Sequence, residues 1–244
     1  MSKDAVRLPG LSAALAGIPA GLQTIGPWSG RRQLFVKFAG EAETATIYSA
    51  AALQGELKRL TARSKYHSVA IIGRDALVEA EFLIAVFQQN CPDSQNNQNS
   101  QNRPLPVMLD HDGQRPSALE ALLPTLSLVQ VTLDGREGAA SIERTCATID
   151  LAAQAPVDHA VAIMAVSNTS DAPLLRIVEQ VHKASAGTQI VVHPPAELAM
   201  EHDRRWVLWL EQAMAVHGDV RVLPRWPVAA AWGQDSGTRN ARSG

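Results

Sequence analysis

Polar and ionisable side chains recur just after each short apolar run of this 244-residue chain. In chain order they are Glu41 and Glu43; Arg74 and Asp75; Asp110, His111 and Asp112; Asp134 and Arg136; Ser167, Asn168 and Ser170; His193; and Arg225. Carboxylates and imidazoles on neighbouring chain ends can act as acid and base, and a converging set of Asp110, His111, Asp112, Asp134 and His193 could hold a divalent metal or a polar ligand. The same residue types also cap helices and form turns, and Asp112-Gly113 is a strong turn signal. The turn-and-cap reading carries more weight for metal binding, because no HxH or HExxH spacing occurs and no metal is expected. No GxSxG elbow, Walker loop or GxGxxG follows a strand.

The segments that must position these residues alternate between two periods. Short β-rich runs at 33–38, 67–72, 105–110, 127–133, 158–166, 189–193 and 220–223 are separated by helix-periodic stretches near 49–64, 76–90, 116–125, 138–154, 171–185 and 203–217. Leu53, Leu57 and Leu60 share one helical face, and Leu174, Ile177, Val178 and Val181 share another. Ser170-Asp171 is placed to cap the second of these. The alternation predicts a parallel α/β fold in one domain, and six helices are too few for a closed eight-fold barrel. A partial (β/α)6 barrel fits better than a doubly wound sheet, although periodicity does not separate the two. In a barrel, chemistry collects at the carboxyl ends of the strands, where the polar residues above all fall.

Expected boundaries are an N-terminal extension over 1–27, loosely ordered in its first 20 residues, the barrel over 28–233, and a disordered tail over 234–244. Within the barrel, the Asn/Gln/Ser-rich segment 90–104 reads as a flexible loop on the face away from the chemistry. Hydrophobic residues at 46 % and charged residues at 19 % call for a packed core. Net charge is −2 with the signs interspersed, which gives no nucleic-acid or anionic-membrane surface, and no signal-like or membrane-spanning run is present. A cytoplasmic location is the expectation. Cys91 and Cys146 are the two cysteines, without metal-ligand spacing. Cys146 reads as a small core residue and Cys91 as an exposed thiol. Trp206, Trp209, Trp226 and Trp232 read as core packing in preference to an aromatic pocket.

Several stretches resemble the radical SAM superfamily. Thr24-Ile-Gly-Pro-Trp-Ser-Gly30 and Gln33-Leu-Phe-Val-Lys-Phe-Ala-Gly40 are similar to the opening of these enzymes, where a CxxxCxxC loop follows. Ala70-Ile-Ile-Gly-Arg-Asp-Ala-Leu-Val-Glu-Ala-Glu-Phe-Leu83 resembles the GGEP segment of glycyl-radical-enzyme activases. Pro106-Val-Met-Leu-Asp-His-Asp-Gly113 and Leu128-Val-Gln-Val-Thr-Leu-Asp134 resemble their later strand ends, and Val166-Ser-Asn-Thr-Ser-Asp171 a later loop. The stretches Ile190-Val-Val-His-Pro194 and 220–233 are similar to the closing segments of 7-carboxy-7-deazaguanine synthases, with His193 at a glutamine position and Pro227 at a histidine position.

The resemblance implies a cluster loop whose three thiolate positions fall on Glu41, Ala45 and Tyr48, none of which supplies a thiolate. It implies ligand-facing positions at Gly73, Arg74, Asp75, Asp110, Asp134, Arg136, Asn168, His193 and Arg225, with Arg74 crowding the place of a second glycine. Strand ends and helix faces are retained while chemical positions are altered. The implied protein is a pseudoenzyme without [4Fe–4S] cluster or SAM, acting through a protein partner that is a second copy or an active enzyme, with no nucleic acid and no membrane. Two alternatives stand beside it: cluster-independent acid/base or metal chemistry using Asp75, Asp110, His111, Asp134 and His193, and SAM or purine binding without turnover.

Overall fold

The computed structural model describes residues 11–73, 76–88, 104–166, 169–195 and 204–225. Arg74, Asp75, Cys91, Ser167, Asn168, Trp226, Pro227 and Trp232, the segment 90–103 and the tail from 234 lie outside the described residues.

Seven strands run parallel and side by side in chain order: β3 (Arg32–Phe38), β5 (Ser68–Gly73), β6 (Val107–His111), β7 (Leu128–Leu133), β8 (Asp158–Met164), β9 (Gln189–His193) and β10 (Val220–Val222). Helices α1 (Ala50–Arg63), α2 (Ala80–Phe87), α3 (Pro116–Leu122), α4 (Ala139–Ala153), α5 (Asp171–Ala184) and α6 (Arg204–Val216) each fill one crossover. Every step across the sheet goes the same way. Among the described residues the reversal of strand order that defines a doubly wound sheet is therefore absent, and right-handed crossovers of this kind lay their helices on one face.

Residue parity confirms that face. Leu34, Val36 and Phe38 of β3, Val69 and Ile71 of β5, and Val107 and Leu109 of β6 are buried against α1, α2 and α3. Val131, Leu133, Val161, Ile163, Ile190 and Val192 continue the layer beneath α4, α5 and α6. The stripe Leu174, Ile177, Val178 and Val181 is wholly buried, as its 3-1-3 spacing requires. Ser49 caps α1, its hydroxyl accepting the Ala52 N–H at 3.2 Å, a bond of about 1 kcal/mol. Ser170 occupies the N-cap of α5 in extended conformation, but its side chain makes no cap bond. The end of that helix is held from outside: Arg205 pairs with Asp171 and donates to the Thr169 carbonyl. Trp206 and Trp209 are buried edge to face with centroids 6.1 Å apart, and Cys146 packs partly buried against the same core.

The N-terminal segment departs from expectation. Residues 12–22 form β1 (Ser12–Gly17) and β2 (Ala20–Leu22), both antiparallel to β3 in the one sheet. They pair into the same sheet as the strands that follow residue 27. Ser-Ala-Ala-Leu-Ala-Gly lacks β-branched residues, so propensity hides it; burial of Ala13 and Leu15 against the α1–α3 core is what orders it. The second correction concerns 41–48. Only the first part is a turn, and Thr46–Ser49 is strand β4, pairing with β1 at the edge of the sheet. The third is local: the stretch read as one helix over 76–90 starts with a 3-10 turn at Ala76–Glu79 before α2.

Residues 23–31 cover part of the helix-free face. The turn is closed by Gln23 N–H to Arg31 O at 2.9 Å and Gly30 N–H to Gln23 O at 2.8 Å. Trp28 packs on Met108, Leu128 and Ala160, which point away from the helices, and meets the His67 ring edge-on at 4.9 Å.

Candidate functional site

A cavity of about 320 Å³ opens where β5, β6 and β7 end. Asp110 and Thr132 lie at the sheet, Ile72, Ala76 and Leu77 form the apolar wall, and Arg115 stands at the rim. Position in the pleat explains the polar pair. Asp110 is two residues beyond Met108 and Thr132 two beyond Gln130, so all four point to the helix-free face. Thr132 donates its hydroxyl to Asp110 Oδ1 at 2.6 Å and accepts from Gln130 Nε2 at 3.3 Å. This directed chain leaves Asp110 as the terminal acceptor. Desolvation pushes its carboxyl up to about 6, against the smaller opposing pull of the Thr132 and Gln130 bonds.

His111 lines the same cavity but faces away from Asp110 in the pleat. Its Nδ1 accepts the Gly113 N–H at 3.2 Å, its buried Nε2 has no partner among the described residues, and desolvation lowers it to about 4 despite Asp112. The ring is neutral at physiological pH. Asp112 serves the turn: its carboxylate accepts the Gln114 backbone N–H at 3.1 Å and the Gln114 amide at 2.8 Å. Asp134 is exposed and turns the chain about Gly135, accepting the Arg136 N–H at 2.8 Å, while Arg136 and Arg225 are exposed.

His193 is buried and fully engaged. Its Nε2 accepts the Gly26 N–H at 2.8 Å, which leaves Nδ1 to donate to the Leu223 carbonyl at 3.1 Å. Burial lowers it to about 4. Both nitrogens hold the 23–31 turn to the carboxyl ends of β9 and β10, so neither is left for a metal or a substrate proton. Among the described residues, no three His, Cys, Asp or Glu side chains are grouped to hold a metal ion. Of the five candidates named from sequence, the structure thus brings together Asp110 and His111, sets Asp134 at the surface and locks His193 into the fold. Asp75 lies outside the described residues.

Gly73 has a structural demand of its own. At φ +108, a Cβ on it would sit 2.6 Å from the Phe38 carbonyl oxygen. Close approach of β5 to β3 needs a glycine there whatever binds in the cavity beside it.

The three implied thiolate positions are a poor fit for an iron–sulfur cluster. Glu41 and Ala45 are exposed, while Tyr48 lies in β4 with its side chain partly packed on the core. A carboxylate, a methyl group and a strand-bound phenol offer no thiolate set. The turn at 40–44 is closed instead by Glu43, which accepts the Gly40 N–H at 3.0 Å and pairs with Lys37. These partners, the Gly40 bond first, hold the Glu43 carboxyl below its ordinary value. In Glu43→Ala, amide exchange at Gly40 is expected to accelerate severalfold with global stability unchanged, measured by hydrogen exchange in low salt; an unaltered rate removes Glu43 as the closing group.

Sequence reading passed over Gln130 and Thr132. Their signal was two polar residues at i and i+2 in the otherwise apolar run Leu128-Val-Gln-Val-Thr-Leu133, which places both on one face. Comparison with protein-family models and with curated proteins finds no match. Among the described residues, no helix is long and apolar enough to cross a membrane.

Proposed function

We propose that the chain is a non-catalytic, radical-SAM-like protein, folded as an open partial (β/α)6 barrel, which has lost its [4Fe–4S] site and acts by binding, as a partner or regulatory subunit in the cytoplasm. The observation that carries the reading is the stretch 41–48, where Glu41, Ala45 and Tyr48 stand at the positions that the resemblance gives to three thiolates and a Lys37–Glu43–Gly40 lock closes the turn. Supporting it, the described strands follow one another without reversal, the helices cover one face, and Asp110, His111, Asp112 and Thr132 gather at the carboxyl ends of β5 to β7. A fold outlasts the site grafted on it, so loss of the ligands with retention of the core is the expected course for such a protein. Its partner is a protein, either a second copy or an active enzyme.

Anaerobic reconstitution with iron and sulfide, followed by metal analysis and an assay for SAM cleavage, tests the reading. Iron is expected far below one cluster per chain, with no 5′-deoxyadenosine formed. A stoichiometric cluster that cleaves SAM would overturn it.

Asp110 favours a second reading. A carboxyl near 6 at the foot of a cavity is poised for proton transfer close to neutrality, so the cavity could run acid/base chemistry without a cluster. Turnover of any metabolite in a broad screen, lost in Asp110→Asn, would establish it; ligand binding without turnover would return the site to the leading reading.

A further inference from the structure

The cavity at the ends of β5 to β7 is built around one acceptor. Thr132 and Gln130 form a relay with a fixed direction, amide to hydroxyl to carboxylate, so they occupy Asp110 Oδ1 from the sheet side. Neither supplies a cation to Asp110. Among the described residues lining the cavity, Asp110 and Asp112 are acidic and Arg115 basic, while burial keeps His111 neutral near pH 7. Together these described groups carry one negative charge in excess near neutrality. Ile72, Ala76 and Leu77 supply an apolar wall beside the carboxylate, and a volume near 320 Å³ admits a compact organic molecule.

We infer that this cavity binds a small organic cation, an amidinium or primary ammonium group carried on a compact apolar body, with the charged nitrogen on Asp110 and the body against Ile72 and Leu77. The inference rests on the reading of the chain as a binding protein and gives that site its ligand class. A charged N–H donor is matched to a carboxylate that its neighbours already orient, and charge-assisted bonds of this kind are about twice as strong as neutral ones. An anionic ligand meets the opposite field. A neutral donor of the same shape gains the contact with the wall and forfeits the charge term.

Benzamidine, benzamide and benzoate form a near-isosteric cationic, neutral and anionic series for titration calorimetry on the full chain at pH 7.5. Benzamidine is expected to bind about tenfold or more tightly than benzamide, with benzoate silent. In Asp110→Asn, folding checked by circular dichroism, the preference for benzamidine should disappear while weak benzamide binding persists. Wild-type protein titrated from pH 7.5 to pH 5 should lose benzamidine affinity as Asp110 takes up its proton. Thr132→Val, which removes the bond that favours the ionised form, should move that loss to higher pH. Equal affinity for benzamidine and benzamide in wild-type protein, or absence of binding by the whole series, overturns the inference. So does a preference for benzamidine that survives Asp110→Asn. Cluster assembly on reconstitution would overturn the proposed function without touching this result, so the two can fail separately.

Discussion

Gly73→Ala is expected to lower the stability of the protein by about 2–5 kcal/mol, with no ligand present. Two costs combine. At φ +108 an L residue is strained, at about 1–2 kcal/mol. The new methyl group would also sit 2.6 Å from the Phe38 carbonyl oxygen. That neighbour is backbone, so no rotamer change relieves the contact; β3 and β5 must move apart, and overpacking of this kind costs typically 1–3 kcal/mol. The pair at risk runs in unbroken register from Gln33↔Ser68 to Phe38↔Gly73. Urea unfolding reads the change as a lower midpoint. The result also separates two roles for this glycine, because the resemblance implies a ligand-facing position and the geometry requires a glycine for strand approach. A variant with wild-type stability that fails only in ligand binding would remove the structural explanation.

The seven parallel strands and six helices were legible because each is long enough, or apolar enough, for its period to show. Val/Ile-rich runs such as Val69-Ala-Ile-Ile72 announce buried strands, and the stripe on α5 leaves no other face to bury. Strands β1, β2 and β4 were not legible. Ser12–Gly17 is built of small residues, and Thr46–Ser49 looks like the entry to a helix until β1 pairs with it. Their order comes from partners remote in sequence, which no local window contains. The site divides in the same way. Asp110 and His111 announce themselves as ionisable residues at a strand end. The difference between them depends on the pleat, which aims Asp110 at Thr132 on the neighbouring strand and leaves His111 with Gly113. The part played by His193 was hidden for a related reason: its partner Gly26 lies 167 residues away.

Acid should unfold this protein through its neutral histidines, and Asp110 should blunt the effect. Burial lowers His111 and His193 to about 4 in the folded chain, against 6.5 for a free imidazole. A depressed histidine contributes stability that is present above 6.5 and is lost as pH falls from there towards 4, because the unfolded chain takes the proton first. His193 has an evident reason to resist: a protonated Nε2 would face the Gly26 N–H donor to donor, breaking the bond that holds the 23–31 turn. His67, lowered by burial and by Arg31, acts in the same direction. Asp110 acts oppositely. Its folded value is raised from 3.8 to about 6, so its contribution is present at low pH and is lost as pH rises through 6. Near pH 5 the unfolded chain therefore holds nearly two extra histidine protons and the folded chain nearly one extra at Asp110, a net of about one, or about 1 kcal/mol per pH unit from these three groups. Asp110→Asn removes the opposing proton and should roughly double their contribution to the slope. Urea midpoints for both proteins between pH 4.5 and 6 give the comparison, in which carboxylates elsewhere cancel. Parallel slopes would mean that Asp110 does not take up a proton in this range, and with that the cavity loses its claim to a perturbed acid.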